Sequence, residues 1–512
     1  MRKYLIITQL AFVVLVTSLA TVLFGGSIGL ERVVDFSVYS REFIQKFGYL
    51  KDKYLDIQIA DSKETSDKLA KSLLVVYYHG VTENQEDTQI DYDNFVNQLF
   101  MLKRMGYQSV TLQQAHEFLQ NGVSLPDKSF LLTFDDGRKD SYYPVDHVLE
   151  KLGFNAVMFV ITSQMDSKDA YYLTERELKQ MIASGRWEVQ SHGRLGHEKV
   201  EVNEEDEEGA WYANKLWLEE EGRLETLEEY RKRVNDDLAG AKYDLESKLG
   251  IKVNSLAVPF GNYGQRHTNF PEAEDELRKM ILQHYDMFFT QPETLYGKRN
   301  YPFVDKYNVK RIEPERIRDL QEFVELVEQT DDKPMDYVDD FSSNRGWVNV
   351  WGVSQVENSR LTLTGDFQSS GVYLNGSELW EDYVASMRVV LGAGVDSFSV
   401  MTRINRQRDY AYCAFSPTGV SFHERIGDTI YDGAAYYGDF TGFFRPDAQV
   451  GVRVEGDIVS CTLNGVPMVI ERMRHVQDES GMAGLTVFGQ TGYNVSAVVT
   501  DYIVKPLRHE VN

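Results

Sequence analysis

Near residue 330 the spacing of apolar residues changes from one that suits β/α units to one that suits antiparallel strands, and no single core satisfies both. From SLLVVYYHG (72–80) onward, short β-branched runs alternate with amphipathic stretches. SFLLTF and FNAVMFVIT read as strands, with a helix over 143–152 between them. That alternation predicts a largely parallel sheet covered by helices. After residue 337 the runs RLTLTG, YVASMRVVLG, SFSVMTRI, YAYCAF, QVGVRVEG and AVVTDYIV alternate in and out, and Asn464-Gly465 marks a tight hairpin. This part reads as an all-β sandwich. EQTDDKPMD (328–336), charged and containing proline, reads as the linker between the two. The expected units are an α/β domain over 73–330 and a β-sandwich over 337–508, a division suited to 512 residues.

Within the α/β part, TLEEYRKRVNDDLAGAKYDLESKLG predicts a helix with a Thr226/Glu229 capping box. Leu227, Tyr230, Val234, Leu238, Ala241 and Leu245 share one face, and Gly250 stops it. The acidic run over 204–208 reads as a solvated loop. Ahead of these units, residues 4–26 carry no charge behind Arg2 and Lys3. At ~1.5 Å per residue they would cross a bilayer core of ~30 Å. Residues 1–30 are therefore expected to be a membrane anchor, favoured over a cleaved signal peptide because no A-x-A site follows, and 31–72 a stalk or leading helix. Either reading places the rest outside the cytoplasm, at the membrane or secreted. Net charge of −25 excludes a phosphate-backbone ligand, so no nucleic-acid partner is expected. Cys413 and Cys461 fit no metal-ligand spacing and are compatible with one disulfide or two buried thiols.

Chemistry concentrates at LLTFDDG (131–137), where Asp135 and Asp136 stand side by side at the carboxyl end of a strand. As the chain bends into a loop there, both acids can face one mouth, and like charges at that spacing predict a metal or a shared proton. WEVQSHGRLGH (187–197) supplies His192 and His197, which cannot share a helical face and must lie on a loop. Asp136 with two imidazoles makes a three-ligand set that leaves room for water.

TFDDG, SHGRLGH and AVPFGNYG, with VVYYHG ahead of them, resemble the successive motifs of the NodB-type polysaccharide deacetylases. The resemblance covers about 73–326, and the His-x4-His interval is most similar to the branch acting on poly-β-1,6-N-acetylglucosamine. It implies a distorted (β/α) barrel and an N-acetylated polysaccharide as substrate. Asp136, His192 and His197 would hold a divalent ion, Zn²⁺ being the expected one, with Asp135 as general base. Pro259, Phe260 and Gly261, together with Tyr263 and Arg311, would shape the substrate and acyl pocket. The family's Leu-x-His acid is missing: NVKRIEP places Arg311 there, and His79 of the YH pair becomes the candidate acid. That departure leaves a non-catalytic glycan binder as an alternative, and a peptidoglycan deacetylase as another. The β-rich end is similar to concanavalin A-like jelly-roll modules; Trp347, Trp351 and Trp380 could stack on sugars or form core.

Overall fold

The computed structural model describes residues 68–507, apart from 84–88, 166, 168, 170, 292–298, 366–367, 406, 442–443, 445–447 and 490–494. The expected anchor (1–30) and nearly all of the leading segment (31–72) lie outside the described residues. Among the described residues, no helix is long and apolar enough to cross a membrane.

Seven short strands run parallel, in chain order, around a nearly closed barrel: β1 (Leu74–Tyr78), β2 (Ser129–Phe134), β3 (Ala156–Val160), β4 (Trp187–Ser191), β5 (Ser255–Ala257), β6 (Met287–Thr290) and β7 (Asn308–Lys310). Just beyond β7 the chain returns to β1: Ile312 N–H donates to Val75 O at 2.8 Å, and Ile312 O accepts from Tyr77 N at 3.0 Å. Every residue of β1, β2 and β3 is buried, as both faces of such a sheet must be. Alternate residues take opposite sides. Val75, Leu131, Val157, Phe159, Met287, Phe289 and Val309 fill the interior, whereas Leu74, Val76, Leu132, Met158 and Phe288 meet the outer helices.

The helix Leu112–Asn121 lies under the amino ends of the strands. Its Leu112, Ala115, Phe118 and Leu119 join the interior cluster. Gln120 Nε2 donates to the carbonyls of Asp286 and Lys306, just ahead of β6 and β7. The helix Leu227–Leu249 carries the expected capping box, and Gly250 ends it in the left-handed conformation. Tyr230, Val234, Leu238, Ala241 and Leu245 are buried on its inner face, and so is Asp237. The acidic run is the exposed turn between the short strands Lys199–Glu201 and Glu208–Ala210.

All described strands after Tyr337 are antiparallel and form a sheet of eight and a sheet of seven around one shared core. Asn464 and Gly465, both at positive φ, turn the hairpin between Ile458–Leu463 and Val466–Arg472. Cys413 and Cys461 are joined in a disulfide that ties one sheet to the other. Trp347 and Trp380 are core residues at 3% and 1% exposure. Trp351 instead packs edge-on against Tyr373, outside that core.

The stretch expected to be a linker is a packed joint. Asp331 accepts from Tyr107 Oη at 2.7 Å and pairs with Arg299, whose side chain is buried. Asp332 accepts from Ser72 Oγ at 2.7 Å and from Tyr301 Oη at 2.8 Å. On the sandwich side, Lys333 N–H donates to Gly376 O at 2.7 Å and Lys333 O accepts from Trp380 Nε1 at 3.0 Å. The two aspartate charges are met by the barrel, and the backbone of Lys333 ties the same stretch to the sandwich.

Candidate active site

The carboxyl ends of the strands carry the chemistry. Asp135 and Asp136 follow β2 directly, and the turn that begins there sets Asp136 at φ 72°, a left-handed conformation that aspartate tolerates better than most residues. This twist splits the pair. Asp135 turns into the top of the barrel interior, where Arg311 grips it in a two-pronged ion pair, Nη1 to Oδ1 at 2.7 Å and Nη2 to Oδ2 at 2.8 Å. Each partner is 1% exposed. The guanidinium also lies 4.4 Å over the Tyr77 ring. Burial alone would raise the Asp135 carboxyl, but Arg311 outweighs it and holds it below the usual carboxylate range.

Asp136 faces the imidazoles. Its Oδ1 lies 3.4 Å from His192 Nε2 and 3.3 Å from His197 Nε2. His192 follows β4 and uses Nδ1 on the carbonyl of Ala257, at the end of β5, which leaves Nε2 aimed at the acid. Asp136 Oδ1 is buried without a hydrogen-bond partner, and the three ligand atoms lie within 4.8 Å of one another. An orphaned carboxylate oxygen facing two imidazole nitrogens fits a divalent cation bound between them. The outer oxygen of Asp136 is 3.9 Å from Arg138, which is locked to Asp140 by bonds of 2.9 and 2.6 Å.

His79, just past β1, stands in the same mouth, its Nδ1 2.8 Å from Glu315 Oε1 while its backbone N–H donates to the other oxygen of Glu315 at 2.8 Å. Burial works to lower the imidazole's pKa. The hydrogen bond and charge of Glu315, with the charges of Asp136 and Asp135, more than offset this and push it up to about 9. Glu313 completes a second acidic group beside His79, and its carboxyl is raised by burial and by Glu315.

The remaining candidates divide. Phe260, at φ 58°, brings its ring to 4.7 Å from His197, with Pro259 and Gly261 buried on either side, so this turn walls the mouth. Tyr263 does not join them; its ring packs 5.8 Å from Phe288, in the outer cluster. Arg311 lies buried between Asp135 and the Tyr77 ring, where its guanidinium holds the carboxylate. Glu313, Glu315 and Arg138 are absent from the sequence reading. A signal for the first two exists: Val309, Arg311, Glu313 and Glu315 alternate along the last strand and its extension, the spacing that sends side chains to one side.

The profile of the polysaccharide deacetylase family matches residues 122–273. The poly-beta-1,6-N-acetyl-D-glucosamine N-deacetylase of Escherichia coli (strain K12) is 28% identical over 206 residues, which is 38% of this chain and 29% of that protein. The enzyme of the same name from Staphylococcus aureus (strain MSSA476) is 24% identical over 120 residues, covering 23% of this chain and 41% of its own length. The chain thus spans less than half the length of these two relatives. Among solved structures, the BpsB deacetylase domain from Bordetella bronchiseptica aligns at 23% identity and a TM-score of 0.41, over 48% of this chain and 98% of that one. The barrel that carries the acid pair and the two imidazoles is a polysaccharide deacetylase domain of the NodB type.

Proposed function

We propose that this chain is an exported, metal-dependent N-deacetylase of an N-acetylglucosamine polysaccharide, with a β-1,6-linked polymer as substrate. The observation that carries the reading is the convergence of Asp136, His192 and His197 beside an ionised Asp135 and a protonated His79 in one mouth. The names of the relatives support the linkage. The disulfide supports export, since such bonds persist in oxidising compartments.

Asp136, His192 and His197 would hold the ion, and two imidazoles with one carboxylate suit Zn²⁺ with a position left open. When bound, the ion supplies Lewis acidity toward the acetamide carbonyl and toward water. Asp135, kept ionised by Arg311, accepts the proton of the attacking water as the new C–O bond forms. His79, kept protonated through its Nδ1 bond to Glu315, delivers its Nε2 proton to the departing nitrogen as the C–N bond breaks. Acetate and a free amine on the sugar result. Phe260 limits the space beside His197 in which the acetyl methyl must fit.

The test is acetate release by the purified chain from β-1,6-linked oligomers, β-1,4-linked oligomers and peptidoglycan, before and after chelation. Release from the first above the others, abolished by the chelator and restored by Zn²⁺, is expected. Failure on all three would leave a glycan binder, and preference for peptidoglycan would reassign the substrate.

A further inference from the structure

His192 and His197 are separated by a loop whose four intervening residues include two glycines, a composition that leaves the backbone free to place the imidazoles in many ways. In the folded chain that freedom is gone, and one side chain from a distant element removes most of it. Asp237, on the buried face of the helix Leu227–Leu249, accepts from Leu195 N–H at 2.7 Å with Oδ1 and from Arg194 N–H at 3.1 Å with Oδ2. Tyr212 Oη donates to the same Oδ2 at 2.5 Å, and both side chains are buried. The Tyr212 ring fills the space beside the two glycines: a Cβ on Gly196 would stand 2.3 Å from it, and one on Gly193 would stand 2.5 Å from its hydroxyl. The same helix face continues to Asp244, which meets the Arg194 side chain at 3.2 Å.

Other bonds finish the loop but do not replace the clamp. Gly193 O accepts from Thr162 N–H at 3.0 Å, and Arg194 O accepts from Ser163 Oγ at 2.5 Å. Without Asp237, two adjacent N–H groups midway between the ligands would lose their acceptor, and Tyr212 would lose the partner that orients it. A carboxylate among apolar residues on the inner face of a helix is costly unless it has such work to do.

We propose that Asp237, oriented by Tyr212, is a positioning residue that fixes the distance between His192 and His197 and so sets the metal affinity and coordination geometry of the site. The inference rests on the three-ligand reading above. It concerns metal binding, not turnover, and can be tested separately from activity.

The experiment titrates Zn²⁺ into metal-free wild type, Asp237→Asn and Tyr212→Phe against a chromophoric chelator, and records the visible spectrum of each protein loaded with Co²⁺. Asp237→Asn places a donor against a donor and is expected to weaken Zn²⁺ by about 10–100-fold, the range for outer-sphere supports of metal ligands, with an altered Co²⁺ spectrum. Tyr212→Phe keeps the ring against the glycines, removes one bond and is expected to cost about 2–10-fold. If Asp237→Asn does not fold, the Tyr212→Phe result decides. Lower thermal stability with wild-type Zn²⁺ affinity and Co²⁺ spectrum in both variants would make the cluster merely structural and overturn the proposal. Wild type that binds no Zn²⁺ would overturn this proposal and the metal reading together.

Discussion

Two buried ionic contacts set the protonation of the mouth, and each makes a prediction at the level of single side chains. Replacing Arg311 with Met leaves Asp135 buried without its counterion, which costs about 3–5 kcal/mol of stability by the general behaviour of broken buried pairs. Urea unfolding of Arg311→Met measures this, and a loss below about 1 kcal/mol, the scale of an exposed pair, would contradict the burial described. His79 supplies the pH dependence. Its folded pKa of about 9 lies above its ordinary value of 6.5. The contribution of the His79–Glu315 pair is therefore complete below about pH 6.5 and is lost as pH rises through about 9. A bound dication repels the proton and moves this limb down. The kcat/KM profile should fall on the alkaline side, and Glu315→Gln should shift that fall to lower pH. An unmoved limb would remove His79 from the role of acid.

Among the elements, the helix Leu112–Asn121 is as much part of the barrel core as the strands are. Leu119, fully buried beneath the interior, should cost about 2–5 kcal/mol when cut to Ala, read as a lowered unfolding midpoint of the barrel. Element identity was largely legible in the sequence, because hydrophobic period and capping chemistry are local properties: the capping box at Thr226, the stop at Gly250 and the Asn464-Gly465 hairpin are all where their residues place them. The acid pair and the imidazoles were legible for the same reason, as short motifs at strand ends. Illegible were the contacts made by topology. Arg311 and Glu315 lie 176 and 236 residues from the groups they hold, and only closure of the last strand onto the first brings them together. Asp237 did leave a trace, since it shares the inner face with Val234 and Ala241, where a charge needs an explanation.

For the whole molecule, the joint is the feature that composition misrepresents. Aspartates, a lysine and a proline read as solvated chain, yet Asp331 and Asp332 are held by barrel side chains while the Lys333 backbone is bonded to the sandwich. Gly376 sits at φ 83°, and a Cβ there would come within 2.0 Å of the Asp331 carbonyl. Gly376→Val should therefore pry the joint open, raising both the radius of gyration in X-ray scattering and the rate of cleavage within 331–336. Acetate release from short oligomers should persist, because the mouth lies at the opposite ends of the barrel strands from the joint. Unchanged scattering would show that other contacts hold the two bodies together.

The helix beneath the barrel also governs how a long polymer can be handled. With the interior packed by side chains and its floor sealed, a glycan cannot be threaded through as a rope through a ring. The proposed substrate would have to lie across the rim and present its sugars to the mouth from outside. On the proposed reading, internal units of an unbroken strand would then be as open to attack as its ends, and deacetylation could begin anywhere along the polymer.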